Sequence, residues 1–141
     1  MQPENRQAIF SQTYRVYYED TDAGGVIYHS NYLKFMERVR TEWLRVLGFS
    51  QYEMAKQQIL FVVHSLTMRY IMPGRLDDEL LVTATIKELK RASLVFFQQV
   101  RRLVDDVLLC EGEIKVTSIN GSTFKSIALP KNFAEKFALG Q

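Results

Sequence analysis

The chain of 141 residues has one cysteine, Cys110, and two histidines. A lone cysteine excludes a disulfide framework and a cysteine-based metal site within one chain, and it fits a reducing compartment. Charge of one sign is equally scarce. With 18 basic side chains against 16 acidic ones, the formal charge of +2 falls short of the basic stripe of a nucleic-acid binder, although a mildly basic surface suits a small anionic molecule. No apolar run approaches the roughly eighteen residues that a spanning helix needs. Residues 1–7, with a proline and an acid and no apolar stretch behind them, are unlike a secretory signal. Repeats, low-complexity tracts and linkers are also lacking. What remains is an ordinary globular composition, 47% hydrophobic and 24% charged, in a chain long enough to bury about two-thirds of its unfolded surface. The expectation is a soluble, cytoplasmic protein of one domain.

Tyr14, Val16 and Tyr18 alternate with Thr13, Arg15 and Tyr17, which predicts a strand over 13–18. After an acidic, glycine-containing segment, Ser30 is placed to cap a long helix. Its apolar positions Tyr32, Met36, Val39, Trp43 and Leu47 recur at helical intervals, and Gly48 suits the exit. Ser50-Gln51-Tyr52-Glu53 has capping-box spacing and predicts a short helix to about Lys56. Four strand-like runs follow, at about 61–72, 80–89, 93–103 and 107–118. Pro73-Gly74-Arg75, Lys90-Arg91-Ala92 and Val104-Asp105-Asp106 divide them, short breaks that favour hairpins and hence an antiparallel meander. Asn120-Gly121 predicts a turn, 124–129 a further strand, and Pro130 a last helix over about 130–139 on which Phe133 and Phe137 share a face. One antiparallel sheet packed on one principal helix is the natural α+β solution.

The segment between the first strand and the long helix concentrates reactive groups: Asp20, Asp22, the pair Gly24-Gly25, and His29 at the helix start. A carboxylate held ahead of a helix N-terminus, across a bend that lets a ligand approach the backbone, has the parts needed to hydrolyse an activated acyl group without metal or serine. The helix end supplies oriented N–H donors for an oxyanion. Each residue has a duller reading. An aspartate before a helix is ordinarily a cap or turn residue, Asp20 fits a structural role, and Asn31 fits a backbone cap. Tyr18 and Tyr28 suit an acyl pocket or ordinary packing. His64 has no evident partner, and Cys110 sits in an apolar run as a small buried side chain.

Read in full, Asp22-Ala23-Gly24-Gly25-Val26-Ile27-Tyr28-His29-Ser30-Asn31-Tyr32 resembles the hallmark of the hotdog-fold acyl-CoA thioesterases of the 4-hydroxybenzoyl-CoA thioesterase type, nearest to the bacterial subgroup associated with the Tol-Pal envelope system. The likeness continues through residues 32–44, Arg75-Leu76-Asp77-Asp78, Ser93-Leu94-Val95-Phe96 and Ala128-Leu129-Pro130. It implies an α+β hotdog domain over 1–141, with a core at about 12–129 and an antiparallel sheet wrapped around one central helix. The implied activity is hydrolysis of acyl-CoA to free acid and CoA. Asp22 would act as nucleophile or as general base toward water, and the His29 amide would hold the thioester oxygen, its side chain being a second candidate for that oxygen or for water. Gly24, Gly25, Tyr28 and Asn31 are implied as substrate-binding or support residues. Lys90 and Arg91 are candidate contacts to the CoA phosphates, beside the plain reading of solvated charges. Neither cofactor nor metal is implied. The implied partners are an acyl-CoA or acyl-carrier substrate, further copies of the chain in a homodimer or homotetramer, and an envelope complex. The competing class is a noncatalytic acyl-CoA-binding or envelope-associated interaction protein on the same fold.

Overall fold

A computed structural model describes residues 8–139. The reading of the N-terminus falls on residues 1–7 and so lies outside the described residues. Strand β1 (Phe10–Arg15) leads through a 3-10 turn (Tyr18–Asp20) to helix α1 (Asn31–Val46) and the short helix α2 (Gln51–Lys56). Strands β2 (Ile59–Tyr70), β3 (Glu79–Leu89), β4 (Ser93–Arg102) and β5 (Leu108–Asn120) follow, then helix α3 (Phe133–Leu139). The five strands form one antiparallel sheet in the order β1-β3-β4-β5-β2. No described helix is long and apolar enough to cross a membrane.

Helix α1 forms where the apolar period is 3.6, and it buries Tyr32, Phe35, Met36, Val39, Trp43 and Leu44 against the sheet. Trp43 stacks on Phe10, with ring centroids 5.9 Å apart, and meets Phe137 edge-on at 4.8 Å. The strands supply the opposing surface with their two-residue period: Leu80, Val82 and Ala84 of β3, Phe96 and Val100 of β4, and Cys110 and Ile114 of β5 are buried. Each large apolar side chain so removed from water contributes about 1.5–3 kcal/mol. One polar pair breaks the apolar face. Gln98 accepts from Arg40 Nη1 at 2.8 Å and donates to the Met36 carbonyl at 3.1 Å, and burial pushes the Arg40 guanidinium down to about 10. Gly48, at φ +94°, ends the helix in the left-handed region, and Phe49 N–H closes it on Leu44 O at 2.8 Å. The Ser50 hydroxyl accepts from Glu53 N–H, as its spacing predicts.

Four expectations are corrected. The first strand lies at Phe10–Arg15 rather than 13–18, because its partner β3 begins at Glu79, opposite Arg15. Beyond that point Asp20 draws the chain into the 3-10 turn by accepting from Tyr17 N–H at 2.8 Å. Ser30 adopts helical backbone angles and makes no side-chain cap. The meander holds for β3-β4-β5 only. β2 leaves its sequence neighbour and pairs with the far side of β5, so Pro73-Gly74-Arg75 crosses the end of the sheet instead of turning a hairpin. That segment spends its hydrogen-bonding groups on the loop ahead of α1, in a bridge between Val26 and Arg75 and a bond from Ile27 N–H to Gly74 O at 2.8 Å. Residues 124–129 make one isolated bridge, Ile119 with Ser126, rather than a strand. The chain reverses too sharply there: Phe124 is at φ 63°, and the Asn120 side-chain oxygen accepts from Ser122 and Thr123 N–H. Phe133 and Phe137 share the buried face expected of them, 4.9 Å apart, although α3 starts three residues beyond Pro130.

Candidate active site

Two pinned ends hold the loop between the 3-10 turn and α1. At one end, buried Asp20 accepts from Tyr17 N–H at 2.8 Å and from Asn31 Nδ2 at 2.9 Å, while its carbonyl accepts from Tyr28 N–H at 2.9 Å. One residue thus ties the strand exit to the helix entrance. At the other end, Ile27 is buried and bonded to the crossing segment through Gly74. Between them the chain makes a tight reversal, with Asp22 N–H on Val26 O at 2.9 Å and Gly25 N–H on Asp22 O at 3.1 Å.

Asp22 is exposed, and its Oδ1 accepts from Gly24 N–H at 2.8 Å, which orients the carboxyl group and leaves Oδ2 without a bond among the described residues. The two glycines serve different needs. Gly25 sits at φ +80°, where a side chain would strain the backbone, while a Cβ on Gly24 would come 3.3 Å from Asp22 Oδ1. Gly24 therefore makes room for the carboxylate itself, whereas the sequence suggested room for a substrate.

His29 stands at the start of α1. No hydrogen bond among the described residues uses its N–H. The carbonyl of the same peptide unit, Tyr28 O, accepts from Asn31 N–H at 2.8 Å, so the N–H is aimed by an anchor on its opposite side. Asp22 and His29 line one cleft of about 350 Å³, together with Ile27, Tyr32, Tyr70 and Met72. Partial positive charge at the N-terminus of the sixteen-residue α1 adds to any donor there. A carboxylate and an unused N–H on residues that line one partly apolar cleft can bind a carbonyl group, stabilise negative charge on its oxygen and deliver an oxygen nucleophile to its carbon.

Other predicted residues fall elsewhere. Tyr28 is outside the cleft lining, and its ring packs at a tilt against the His29 ring with centroids 4.5 Å apart. Asn31 is buried, clasps Asp20 and is outside the cleft lining. Tyr18 is 82% exposed and takes no part in the cleft. Lys90 and Arg91 belong to the β3–β4 hairpin. β4 runs from Ser93, opposite Thr117, to Val100, opposite Cys110, the residue that also faces Tyr70. At strand rise this separates the hairpin from the cleft by roughly 20 Å within one chain. Cys110 is buried, as expected, and burial pushes its thiol up to about 12, with Glu111 adding to the effect. Among the described residues no group of three His, Cys, Asp or Glu side chains is placed to hold a metal ion.

The residues missed are others of the cleft lining: Tyr32, Tyr70, Met72 and Pro73. Tyr32 Oη accepts from Gly74 N–H at 3.1 Å, and burial pushes its pKa up. Tyr32 counts equally as a core residue of α1, and the others look like the end of a strand and a turn. Only their convergence on Asp22 marks them.

A family model described as the thioesterase superfamily matches residues 24–110. The acyl-CoA thioesterase YbgC of Haemophilus influenzae is 43% identical over 129 residues, 91% of this chain and 93% of that protein. Among solved structures, a probable thioesterase from Bartonella henselae superposes with a TM-score of 0.81 at 31% identity, over 87% of this chain and 100% of the other. A 1,4-dihydroxy-2-naphthoyl-CoA thioesterase from Synechocystis reaches a TM-score of 0.86 at 20% identity, over 92% and 96% of the two chains, a likeness of fold alone.

Proposed function

The chain belongs to the thioesterase superfamily, and from that premise we propose that it hydrolyses acyl-CoA to the free acid and CoA, with the Asp22 carboxylate and the His29 N–H as its reacting pair. The observation that carries the assignment is their shared cleft, with the N–H unused and the carboxylate oriented by Gly24. The thioester carbonyl lies between them. As its carbon is attacked, charge collects on the oxygen, and a donor already aimed stabilises that charge without reorganisation. Asp22 acts in one of two ways. It adds to the carbonyl carbon to give a mixed anhydride that water then opens, or it takes a proton from the water that adds. In both routes the carbon–sulfur bond breaks and the CoA thiolate leaves with the bonding pair.

A second copy of the chain fits this reading. β2 is an edge strand, its ladder groups unpaired on one side, with Val62, Val63 and Leu66 exposed along it. Such a copy would also give Lys90 and Arg91 a second route to the CoA phosphates, beside the roughly 20 Å that separates them from their own cleft. Sedimentation that finds only monomers would remove both points. A cytoplasmic location and the Tol-Pal likeness extend the reading to an association with the envelope complex, which co-purification tests.

The deciding experiment is thiol release from a panel of aliphatic and aromatic acyl-CoAs. Asp22→Asn is expected to keep the fold and lose at least about a hundredfold in kcat. Undiminished turnover by that variant removes Asp22 from the chemistry, and a native protein inactive on every substrate favours a noncatalytic acyl-CoA-binding module.

A further inference from the structure

Tyr70 ends β2 and lines the cleft together with Asp22. Its hydroxyl donates to the His29 carbonyl oxygen at 3.1 Å. Its ring meets the His29 ring edge-on at 6.3 Å and lies 5.7 Å from the ring of Tyr32, which is itself tied to Gly74. Burial pushes the Tyr70 pKa above the ordinary tyrosine value, so the hydroxyl stays a donor throughout the neutral range.

Two peptide planes meet at the His29 Cα. The plane before it carries the unused N–H and is anchored through Tyr28 O by Asn31 N–H. The plane after it, joining His29 to Ser30, has its carbonyl anchored by Tyr70 alone among the described residues. Because the two planes share the His29 Cα, releasing the carbonyl of the second lets that atom shift, and the N–H of the first is displaced with it. The Ser30 side chain adds no cap to α1 at this entrance.

We infer that Tyr70 is a positioning residue of the oxyanion site, its hydroxyl fixing the His29 carbonyl so that the His29 N–H stays aimed at the thioester oxygen. The inference rests on the hydrolase reading above. It gives the end of an edge strand, remote in sequence from the loop, a part in turnover.

Tyr70→Phe removes the hydroxyl and keeps the ring. On an acyl-CoA that the native protein cleaves, it is expected to lower kcat about tenfold, less than removal of a direct oxyanion donor, with KM within about twofold and the unfolding midpoint unchanged. Tyr70→Leu, which also removes cleft wall, should raise KM in addition. Asp22→Asn measured alongside separates the outcomes. Native kcat in Tyr70→Phe beside an inactive Asp22→Asn overturns the role of Tyr70 and leaves the hydrolase centre standing. A rise in KM at unchanged kcat overturns it in favour of ground-state binding, and a fall in kcat that follows a lowered unfolding midpoint overturns it in favour of packing. Full activity in Asp22→Asn overturns the centre itself and the part of Tyr70 with it.

Discussion

Gly74→Ala tests how the crossing segment sets the site. Gly74 is buried and its φ is not in the left-handed region, so backbone freedom is not the reason for glycine there. A Cβ at this position would lie 2.5 Å from Ile27 Cδ1, 3.2 Å from Leu109 Cδ1 and 3.3 Å from Ile27 Cγ1. Relieving the shortest contact takes about 1 Å of movement to reach ordinary carbon–carbon separation. Ile27 is 4% exposed and held by its neighbours, so part of the displacement passes to the loop that carries it. Overpacking of this kind costs about 1–3 kcal/mol. Ile27 lies between Asp22 and His29 in the chain, and a misplacement near 1 Å at a reacting group costs up to about a hundredfold in rate. The variant is therefore expected to lose both stability in urea and kcat. Ile27→Val removes the clashing Cδ1 and alone costs about 0.5–1.5 kcal/mol. Combined with Gly74→Ala, it should cost less than the sum of the two by about 1 kcal/mol or more. Additive costs across the four proteins, or a Gly74→Ala variant equal to the native chain in both assays, would refute the reasoning.

Asn31→Ala leaves a buried oxygen of Asp20 without its donor, and an unfolding midpoint reporting a loss of about 1–3 kcal/mol together with slower turnover is expected. Cys110 offers a pH test. Its thiol stands at about 12 in the folded chain against an ordinary 9.0, so between those values the unfolded chain gives up a proton that the folded chain keeps. Stability from this group is therefore complete below pH 9 and declines through the window by up to about 1.4 kcal/mol per unit. Urea midpoints at about pH 8 and about pH 10.5 should show that decline in the native protein and its loss in Cys110→Ala.

The legible parts of the fold were those that depend on neighbours in sequence. The stripe from Tyr32 to Leu44 marks α1 because helical period is local, and Ser50 with Glu53 marks the start of α2 for the same reason. Strands β3, β4 and β5 announce themselves by composition and are joined by true hairpins. Three local signals misled. Tyr18 continued an apparent alternation that ends where β3 runs out of partners, Ser30 had a capping residue's identity without its geometry, and Pro73-Gly74-Arg75 had the composition of a turn.

The amino-acid sequence alone determined the α+β class, the long helix and the loop that holds Asp22 and His29, since period, turn chemistry and motif spacing are properties of adjacent residues. Tertiary structure decided that β2 closes the sheet beside β5, that Asp20 and Asn31 clasp the loop, and that Tyr70 and Gly74 reach it from some forty residues away. Pairing across a sheet is chosen by which edges and faces can be buried together, a comparison that only the assembled chain can make.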